Sequence, residues 1–219
     1  MKFFYHLIIN SLQNKTLSRI LQDYAFSQMK ITKNGDIIEF GTSRNSKKRF
    51  SKYVFGKNRF FFADKIKNKD SFVINLEKKN NLKKKFDLIL IFNVVEHIYD
   101  IENSFLELKK LLKKRGKIIG STPFLFRVHY APKDYHRPTK QFYENILKRN
   151  GFKNITITEL GFGPFTTCYS ILSDYLKIVP IIPTLILIFC IILDKFLNLF
   201  IKTPLKQIYP ISYIFSCDR

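Results

Sequence analysis

The 219-residue chain is poor in cysteine and glycine, and it has no tryptophan. Its three cysteines, Cys168, Cys190 and Cys217, are far apart, and they form neither a CxxC pair nor a Cys/His cluster at metal-ligand spacing. This pattern excludes a disulfide framework and gives no signal for a zinc site. We therefore expect no bound metal, and we expect a reducing compartment, the cytoplasm.

Acidic side chains are also scarce, with 17 Asp and Glu against 38 Lys and Arg and a formal net charge of +21. Such a charge predicts attraction to nucleic acid, anionic lipid or acidic glycans. The alternative is a compositional bias, because Lys, Asn, Ile and Phe are all abundant. The opening "MKFFYHLIINSLQNK" lacks a full apolar core and a small-residue cleavage site, so we do not expect a signal peptide.

Apolar runs at strand length alternate with segments of helical periodicity. Helices are predicted at residues 17–29, 50–54, 101–115 (ended by Gly116) and 140–150 (capped by Thr139). Strands are predicted at residues 36–40, 59–64, 71–77, 86–93, 117–121, 154–160 and 211–217. The alternation predicts an α/β fold with a mostly parallel sheet that is covered by helices on both faces.

Four segments are expected along the chain: an N-terminal helical segment (1–34), a core (35–160), an apolar helical insert (161–210) and the last strand of the core (211–219). In a sheet of this kind, ligands bind outside the carboxyl ends of the strands. The residues that follow the strands therefore carry the functional argument, and they lie at 39–45, 64, 75, 93–97 and 121–129.

The order of these segments resembles the class I S-adenosylmethionine-dependent methyltransferases. The resemblance rests on "EFG" after one strand, Asp64 after the next, "FDLILIFNVVEHI" and then helix–glycine–strand–"TPF", and it covers residues 36–159. The stretch "HYAPKDYHRPTKQFYENILKRNGF" is similar to a segment of methyltransferases found among surface-polysaccharide genes, in a small-molecule and glycan branch. The resemblance implies a Rossmann-like sheet, an enzyme, and S-adenosylmethionine as its cofactor.

The resemblance also implies roles for the residues that follow the first strands. Asp64 would accept hydrogen bonds from the ribose hydroxyls, and Asn75 stands where the family usually has an acid facing the adenine amino group. Ser43 and Asn45 stand where the family has glycines. The full set of expected cofactor-binding residues is Glu39, Gly41, Ser43, Asp64, Asn75 and Asn93.

The polar loop after the fifth strand is expected to serve the acceptor. Methyl transfer to a hydroxyl needs a base near the acceptor, and the candidates are His97, His129 and Asp134. Tyr135 and Arg137 are expected to bind the acceptor, Arg137 as a clamp for an anionic group. The alternatives are a His97 that only packs, and a loop held by an internal Asp134–Arg137 pair.

The insert contains an uncharged apolar run at residues 178–193. It is slightly short for a bilayer-spanning helix, which needs about 17–25 residues. A single crossing would also place the last strand on the wrong side of the membrane. We therefore expect an interfacial or re-entrant segment, with basic residues facing anionic lipid on the inner face of the membrane. The alternative is a helix buried in a homodimer interface or a cap.

The function expected from these features is O-methylation of a sugar or a lipid-linked glycan. An RNA methyltransferase is the second hypothesis, motivated by the positive charge, although no RNA-binding module is visible and no specific nucleic acid is expected. The third is a non-catalytic, membrane-associated protein that has kept the fold.

Overall fold

The computed structural model describes residues 2–41, 50–66, 71–130, 133–176 and 181–219. The helices within these ranges are α1 (Lys2–Leu12), α2 (Leu17–Gln28), α3 (Ile101–Leu111), α4 (Lys140–Arg149), α5 (Pro164–Leu172), α6 (Ile181–Leu197) and α7 (Leu205–Ile208). The strands are β1 (Ile31–Thr32), β2 (Gly35–Phe40), β3 (Val54–Phe55), β4 (Asn58–Asp64), β5 (Phe72–Val73), β6 (Phe86–Phe92), β7 (Leu112–Pro123), β8 (Lys153–Leu160) and β9 (Ser212–Asp218). Single turns of 3-10 helix lie at Ser51–Tyr53 and Val95–His97.

A seven-stranded sheet in the order β5-β4-β2-β6-β7-β9-β8 forms the centre of the fold, and β1 pairs with β3 in a separate two-stranded sheet. The strand pairs β2–β4, β2–β6, β4–β5 and β6–β7 are parallel. Strand β6 is apolar apart from Asp87, and β2 is buried from Asp36 to Phe40 although it carries Asp36 and Glu39. Such burial is expected for parallel strands that are covered on both faces. The predicted Rossmann-like α/β fold is confirmed.

Several predicted elements differ from the structure in length. Strand β7 runs from Leu112 to Pro123 rather than over residues 117–121. Helix α3 ends at Leu111 rather than at residue 115, because Leu112 is fully buried and pairs with Phe86 as β7 begins. Only Phe72–Val73 of the predicted strand 71–77 pairs with a neighbour. Residues 50–54, predicted as a short helix, form one 3-10 turn and the start of β3.

Side chains cap the starts of α3 and α4. The Thr139 side chain accepts a hydrogen bond from the backbone N–H of Phe142 at 3.3 Å, as the sequence predicts for α4. Asp100 accepts one from Asn103 at 2.9 Å at the start of α3. These caps place α3 and α4 directly after two loops of the candidate site.

The residues group into two compact units. The helical unit contains Met1–Gln28, Pro123–Val128 and Thr158–Tyr213, and the sheet unit contains Met29–Thr122, His129–Ile157 and Ile214–Arg219. Each unit is described by itself below.

The helical unit has its own apolar core, built by α1, α2, α5 and α6, with Leu7, Leu17, Ile20, Leu187 and Ile191 almost fully buried. The fully buried Asp194 of α6 caps the start of α5. Its carboxylate accepts hydrogen bonds from the backbone N–H groups of Phe165 and Thr166, both at 2.9 Å, and from the Thr166 hydroxyl at 2.6 Å. Within the described ranges, no helix is both long and apolar enough to cross a bilayer.

The sheet unit buries β6 completely from Leu88 to Ile91. At the amino end of β2, Asp36 bonds to Arg59 at 2.8 Å and to Lys84 at 3.1 Å. Burial alone would raise the pKa of Asp36, but the two cations outweigh burial and hold that pKa below its usual 3.8.

Candidate functional site

Gly41 follows β2 in a backbone conformation that favours glycine, with φ +72°. A Cβ atom at this position would lie 2.4 Å from Cγ2 of Val94, which follows β6. The backbone N–H of Gly41 donates to the carbonyl of Ala63 at 3.0 Å. The backbone after β2 therefore passes so close to Val94 that only glycine, which has no Cβ atom, fits at position 41. Ser43 and Asn45 lie outside the described residues.

The other expected cofactor residues lie at or near the carboxyl ends of adjacent strands. Glu39 is buried in β2, with Phe62 of β4 and Leu90 of β6 beside it in register. Asp64 ends β4, is partly exposed, and accepts a hydrogen bond from the backbone N–H of Ile66 at 3.1 Å. A glycine cradle beside a partly exposed carboxylate fits a ligand that carries a ribose diol.

Asn75 and Asn93 have specific local roles. The amide oxygen of Asn75 accepts the backbone N–H of Glu77 at 3.0 Å, and an amide oxygen has a second lone pair for another donor. Asn93 has φ +54°, which asparagine tolerates better than most residues, and its N–H donates to Ser121 at 2.8 Å. The chain therefore turns sharply at the end of β6.

Glu96 lies in the turn after β6 and is fully buried. Within the described part of the chain, neither carboxyl oxygen has a hydrogen-bond partner. Burial raises the pKa of Glu96 to about 8, and this rise is only partly offset by its own backbone amide and by the charge of Arg137. Glu96 is thus mainly protonated at neutral pH.

Two imidazoles lie beside this carboxyl group. The rings of His97 and His129 meet edge to face with centroids 5.0 Å apart. Nδ1 of His97 donates to the backbone carbonyl of Lys133, and Nε2 of His97 lies 3.9 Å from Oε1 of Glu96. The fold thus brings two predicted catalytic residues from different loops together, next to a buried acid.

The loop after residue 132 is held by Asp134. Its nearly buried carboxylate is paired with both terminal nitrogens of Arg137, at 2.6 Å for Nη2, and accepts the backbone N–H of His129 at 2.9 Å. Nδ1 of His129 lies 3.2 Å from the same carboxylate. Burial alone would raise the pKa of Asp134, but these partners lower it to about 2. The internal Asp134–Arg137 pair is therefore present.

The loop is also tied to the turn after β6. The backbone N–H of Tyr135 donates to the Glu96 carbonyl at 2.8 Å, and Nε2 of His136 donates to the Tyr99 carbonyl at 3.0 Å. Tyr99 and Tyr135 form an edge-to-face pair with centroids 5.4 Å apart, and they are 71% and 40% exposed. Sequence reasoning missed Tyr99, although an aromatic residue directly after "VVEHI" is a visible signal.

A cavity of about 640 Å³ lies apart from the expected cofactor residues that the structure describes, since Glu39, Gly41, Asp64, Asn75 and Asn93 do not line it. Its lining comes from the start of α3 and from α4, with Tyr99, His136, Phe142 and Arg149 among the contributors. Tyr99 lines the cavity, but Tyr135, the other member of the tyrosine pair, does not. The candidate site therefore remains at the carboxyl ends of the strands.

Comparison with known proteins identifies the fold. Residues 60–120 match a family described as a methyltransferase domain, and no curated protein matches significantly. A Haemonchus contortus phosphoethanolamine N-methyltransferase 2, solved with phosphomonomethylethanolamine and S-adenosylhomocysteine, is 14% identical with a TM-score of 0.56, covering 90% of this chain and 52% of that chain. This chain thus spans about half the length of the nematode protein.

Two further structures are similar over nearly their whole length. A SAM-dependent methyltransferase from Archaeoglobus fulgidus is 12% identical with a TM-score of 0.54, covering 90% of this chain and 94% of that chain. An S-adenosylmethionine-dependent methyltransferase from Mesorhizobium loti is 15% identical with a TM-score of 0.54, covering 90% and 98%. The chain has the Rossmann-like fold of the class I methyltransferases, a fold of enzymes whose cofactor is S-adenosylmethionine, and it carries a match to the methyltransferase domain.

Proposed function

We propose that the protein transfers a methyl group from S-adenosylmethionine to a hydroxyl of a sugar or a lipid-linked glycan. The observation that carries the proposal is the exposed Tyr99–Tyr135 pair, which lies beside the imidazole of His136. Tyrosine rings offer an apolar face with a polar tip, which suits the mixed faces of a sugar ring. The fold supports the cofactor half of the reaction, and the tyrosine pair supports the acceptor half.

The residues expected to hold the cofactor are backbone and side-chain groups at the strand ends. Gly41 allows close approach to the methionine end, Asp64 accepts the ribose hydroxyls, and Glu39, Ser43, Asn75 and Asn93 complete the proposed set. When bound, the cofactor supplies an activated methyl group on a sulfonium. The chain has to position the acceptor oxygen in line and exclude water.

The acceptor hydroxyl gives its proton to the imidazole of His97 or His129 as its oxygen bonds to the methyl carbon and the sulfur–carbon bond breaks. Asp134 was also a candidate base, but a carboxylate with a pKa of about 2 accepts protons poorly at neutral pH. We therefore propose that Asp134 and its partner Arg137 position the loop, while Tyr135 contacts the acceptor.

Calorimetric titration with S-adenosylhomocysteine tests the cofactor half. We expect one molecule bound per chain, with binding lost in Asp64→Ala. Asp100→Ala is a matched control, because Asp100 caps α3 and is not assigned to the cofactor. A folded protein that binds no S-adenosylhomocysteine would support the third hypothesis, a non-catalytic descendant of the fold.

Transfer of a radiolabelled methyl group tests the acceptor half. The acceptors are a lipid-linked oligosaccharide extract and total RNA, and label in the sugar fraction is the expected result. Tyr135→Ala should raise the acceptor KM about threefold to tenfold while S-adenosylhomocysteine affinity stays unchanged. Tyr175→Ala, at a more exposed tyrosine of the helical unit, should change neither. Label only in RNA, with a steep salt dependence, would favour the RNA hypothesis.

We also propose that α6 lies on an anionic membrane surface. Its buried face carries Leu187, Ile191 and Asp194. The opposite face is an exposed apolar stripe of Ile181, Ile182, Leu185, Phe189, Ile192 and Phe196. Exposed lysines follow at 195, 202 and 206, and an apolar face with basic flanks is typical of helices that lie in the interface of an anionic bilayer.

Vesicle flotation tests this surface. The protein should float with phosphatidylglycerol vesicles and remain free with phosphatidylcholine vesicles. The double variant Leu185→Ser/Phe189→Ser should reduce binding, while Phe55→Ser, an exposed apolar residue of the sheet unit, should not. A homodimer that ignores both vesicle types would overturn the proposal in favour of a dimer interface.

A further inference from the structure

We infer that Glu96, His97 and His129 form a binding site for a divalent transition-metal cation. One ligand atom from each of the three side chains lies within 4.8 Å of the other two. Two imidazoles and a carboxylate are a ligand set that proteins use for zinc and for other first-row divalent metals, with further positions left for water or substrate. Magnesium and calcium prefer oxygen ligands and fit this set less well.

The state of Glu96 gives an independent reason for the cation. A buried polar group without a hydrogen-bond partner costs free energy, and structures retain few such groups. Glu96 is 0% exposed, its carboxyl group lies beside His97, and both of its oxygens have no hydrogen-bond partner among the described residues. A cation held between this carboxylate and the imidazoles would supply the missing partner.

The contacts around the two histidines are those that orient metal ligands. A metal-binding histidine almost always donates its other ring N–H to a carbonyl or a carboxylate. Nδ1 of His97 donates to the Lys133 carbonyl, so the remaining lone pair is on Nε2, the atom that faces Glu96 at 3.9 Å. Asp134 lies against the ring of His129 and is itself fixed by Arg137.

The three ligand atoms must approach one another when the cation binds. Metal–nitrogen and metal–oxygen bonds of about 2.0–2.2 Å place neighbouring ligand atoms roughly 3–3.5 Å apart. The side chains therefore have to close by about 1 Å, which small changes in the side-chain torsions of His97 and His129 can supply. Both rings are partly exposed, so an ion can reach them from solvent.

This site departs from the expectation of no metal, which rested on the spacing of cysteines and histidines along the chain. Glu96 and His97 follow β6, whereas His129 follows β7. Because β6 and β7 are adjacent parallel strands, their carboxyl ends meet at one edge of the sheet. Only the fold brings the three side chains together.

The chemical consequence rests on the proposed function. With the cation bound, the imidazoles are its ligands and no longer take the proton. The hydroxyl bound to the cation would have a lower pKa, and its proton would pass to solvent water as the carbon–oxygen bond forms and the sulfur–carbon bond breaks. The cation would thus activate the acceptor and orient it toward the methyl group. Metal binding itself needs neither the cofactor nor the acceptor, so it can be tested separately.

The test is calorimetric titration of the metal-free protein with Mn²⁺ and with Zn²⁺, together with the visible absorption spectrum on adding Co²⁺. We expect one ion per chain, and an intense Co²⁺ band if the site is tetrahedral. Glu96→Gln and His129→Ala should each weaken binding by at least about tenfold. His136→Ala is the matched control, because His136 lies on the same loop outside the cluster, and its affinity should match that of the parent.

Three results would overturn the inference: no binding by the folded parent, equal binding by both ligand variants, or loss of binding in His136→Ala alone. Circular dichroism of each variant separates lost binding from lost folding, and Glu96→Gln keeps the shape of the side chain if His129→Ala does not fold. A protein that binds the ion but labels no sugar would refute the proposed function and leave the metal site standing.

Discussion

Replacing Glu96 by leucine should make the metal-free protein more stable. At pH 7 the group is mainly a neutral acid, because burial raises the pKa of Glu96 to about 8. Burying such a group without a hydrogen-bond partner costs about 1–3 kcal/mol. Leucine has a similar size and no polar atom, so Glu96→Leu should raise the free energy of unfolding by about 1–3 kcal/mol.

Glu107→Leu should have the opposite effect, although Glu107 is just as buried at 1% exposed. Its carboxylate accepts two hydrogen bonds from Asn80, at 3.0 Å and 2.7 Å, and one from Lys110 at 2.5 Å. Removing the carboxylate leaves these donors without their partner. We expect a loss of about 1–3 kcal/mol, the cost of leaving partly buried donors without a partner, because the Lys110 side chain is itself 57% exposed.

The assay is urea unfolding of the parent and the two variants at pH 7 with EDTA, which removes any bound cation. The same substitution at two buried glutamates should then shift the midpoint in opposite directions. A Glu96→Leu variant that is less stable than the parent by more than about 1 kcal/mol would refute the reasoning, since it would mean that the Glu96 carboxyl has a stabilising partner in the metal-free protein.

Three further substitutions test other parts of the fold by urea unfolding. Gly41→Ala should lower the free energy of unfolding by about 2–4 kcal/mol and weaken S-adenosylhomocysteine binding. The reasons are the positive φ of residue 41 and the clash of the added methyl group with Val94. Adding Val94→Ala should recover part of the lost stability. Asp194→Asn should lower the free energy of unfolding by about 1–3 kcal/mol by weakening its three hydrogen bonds. Asp174→Asn, at a partly exposed aspartate paired with the mostly exposed Arg127, should lower it by under about 1 kcal/mol. Asp36→Asn should lower the free energy of unfolding more at pH 7 than at pH 3. The lowered pKa of Asp36 stabilises the folded protein at pH values above the usual pKa of about 3.8, and this stabilisation is lost as the pH falls. Equal losses at the two pH values would contradict this.

The central strands could be predicted from the sequence because burial on both faces requires unbroken apolar runs. Strand β6 is the clearest case, with every residue from Leu88 to Ile91 fully buried. The cap at Thr139 was also predictable, because a hydroxyl before a helix has one dominant local use. Local patterns of this kind depend on few distant contacts.

The end of α3 could not be predicted, because a tertiary contact decides it. Residues 112–115 continue the helical pattern, but pairing of Leu112 with Phe86 starts β7 instead. The same applies to β5, where the amide of Asn75 bonds to the backbone of Glu77 and forms a turn after only two paired residues. In the first place a contact between distant chain segments decides the structure, and in the second a hydrogen bond from a side chain to the backbone decides it. Neither interaction can be predicted from the periodicity of apolar residues.

The two halves of the candidate site follow different rules. The proposed cofactor-binding half depends on the backbone conformation at Gly41 and Asn93. Both residues have positive φ values, and glycine and asparagine are residue types that adopt such values readily, so the sequence indicates the conformation. The other half, the cluster of Glu96, His97 and His129, depends on side chains from two loops. These loops meet only because β6 and β7 are neighbours. The first half is set by backbone turns at the ends of the strands, whereas the loop around His129 can vary without disturbing the sheet. That loop is joined to the turn after β6 by the bond from the Tyr135 N–H to the Glu96 carbonyl, and also by His97 bonding to Lys133 and His136 bonding to Tyr99. Substitutions on that loop therefore test the acceptor and the cation directly.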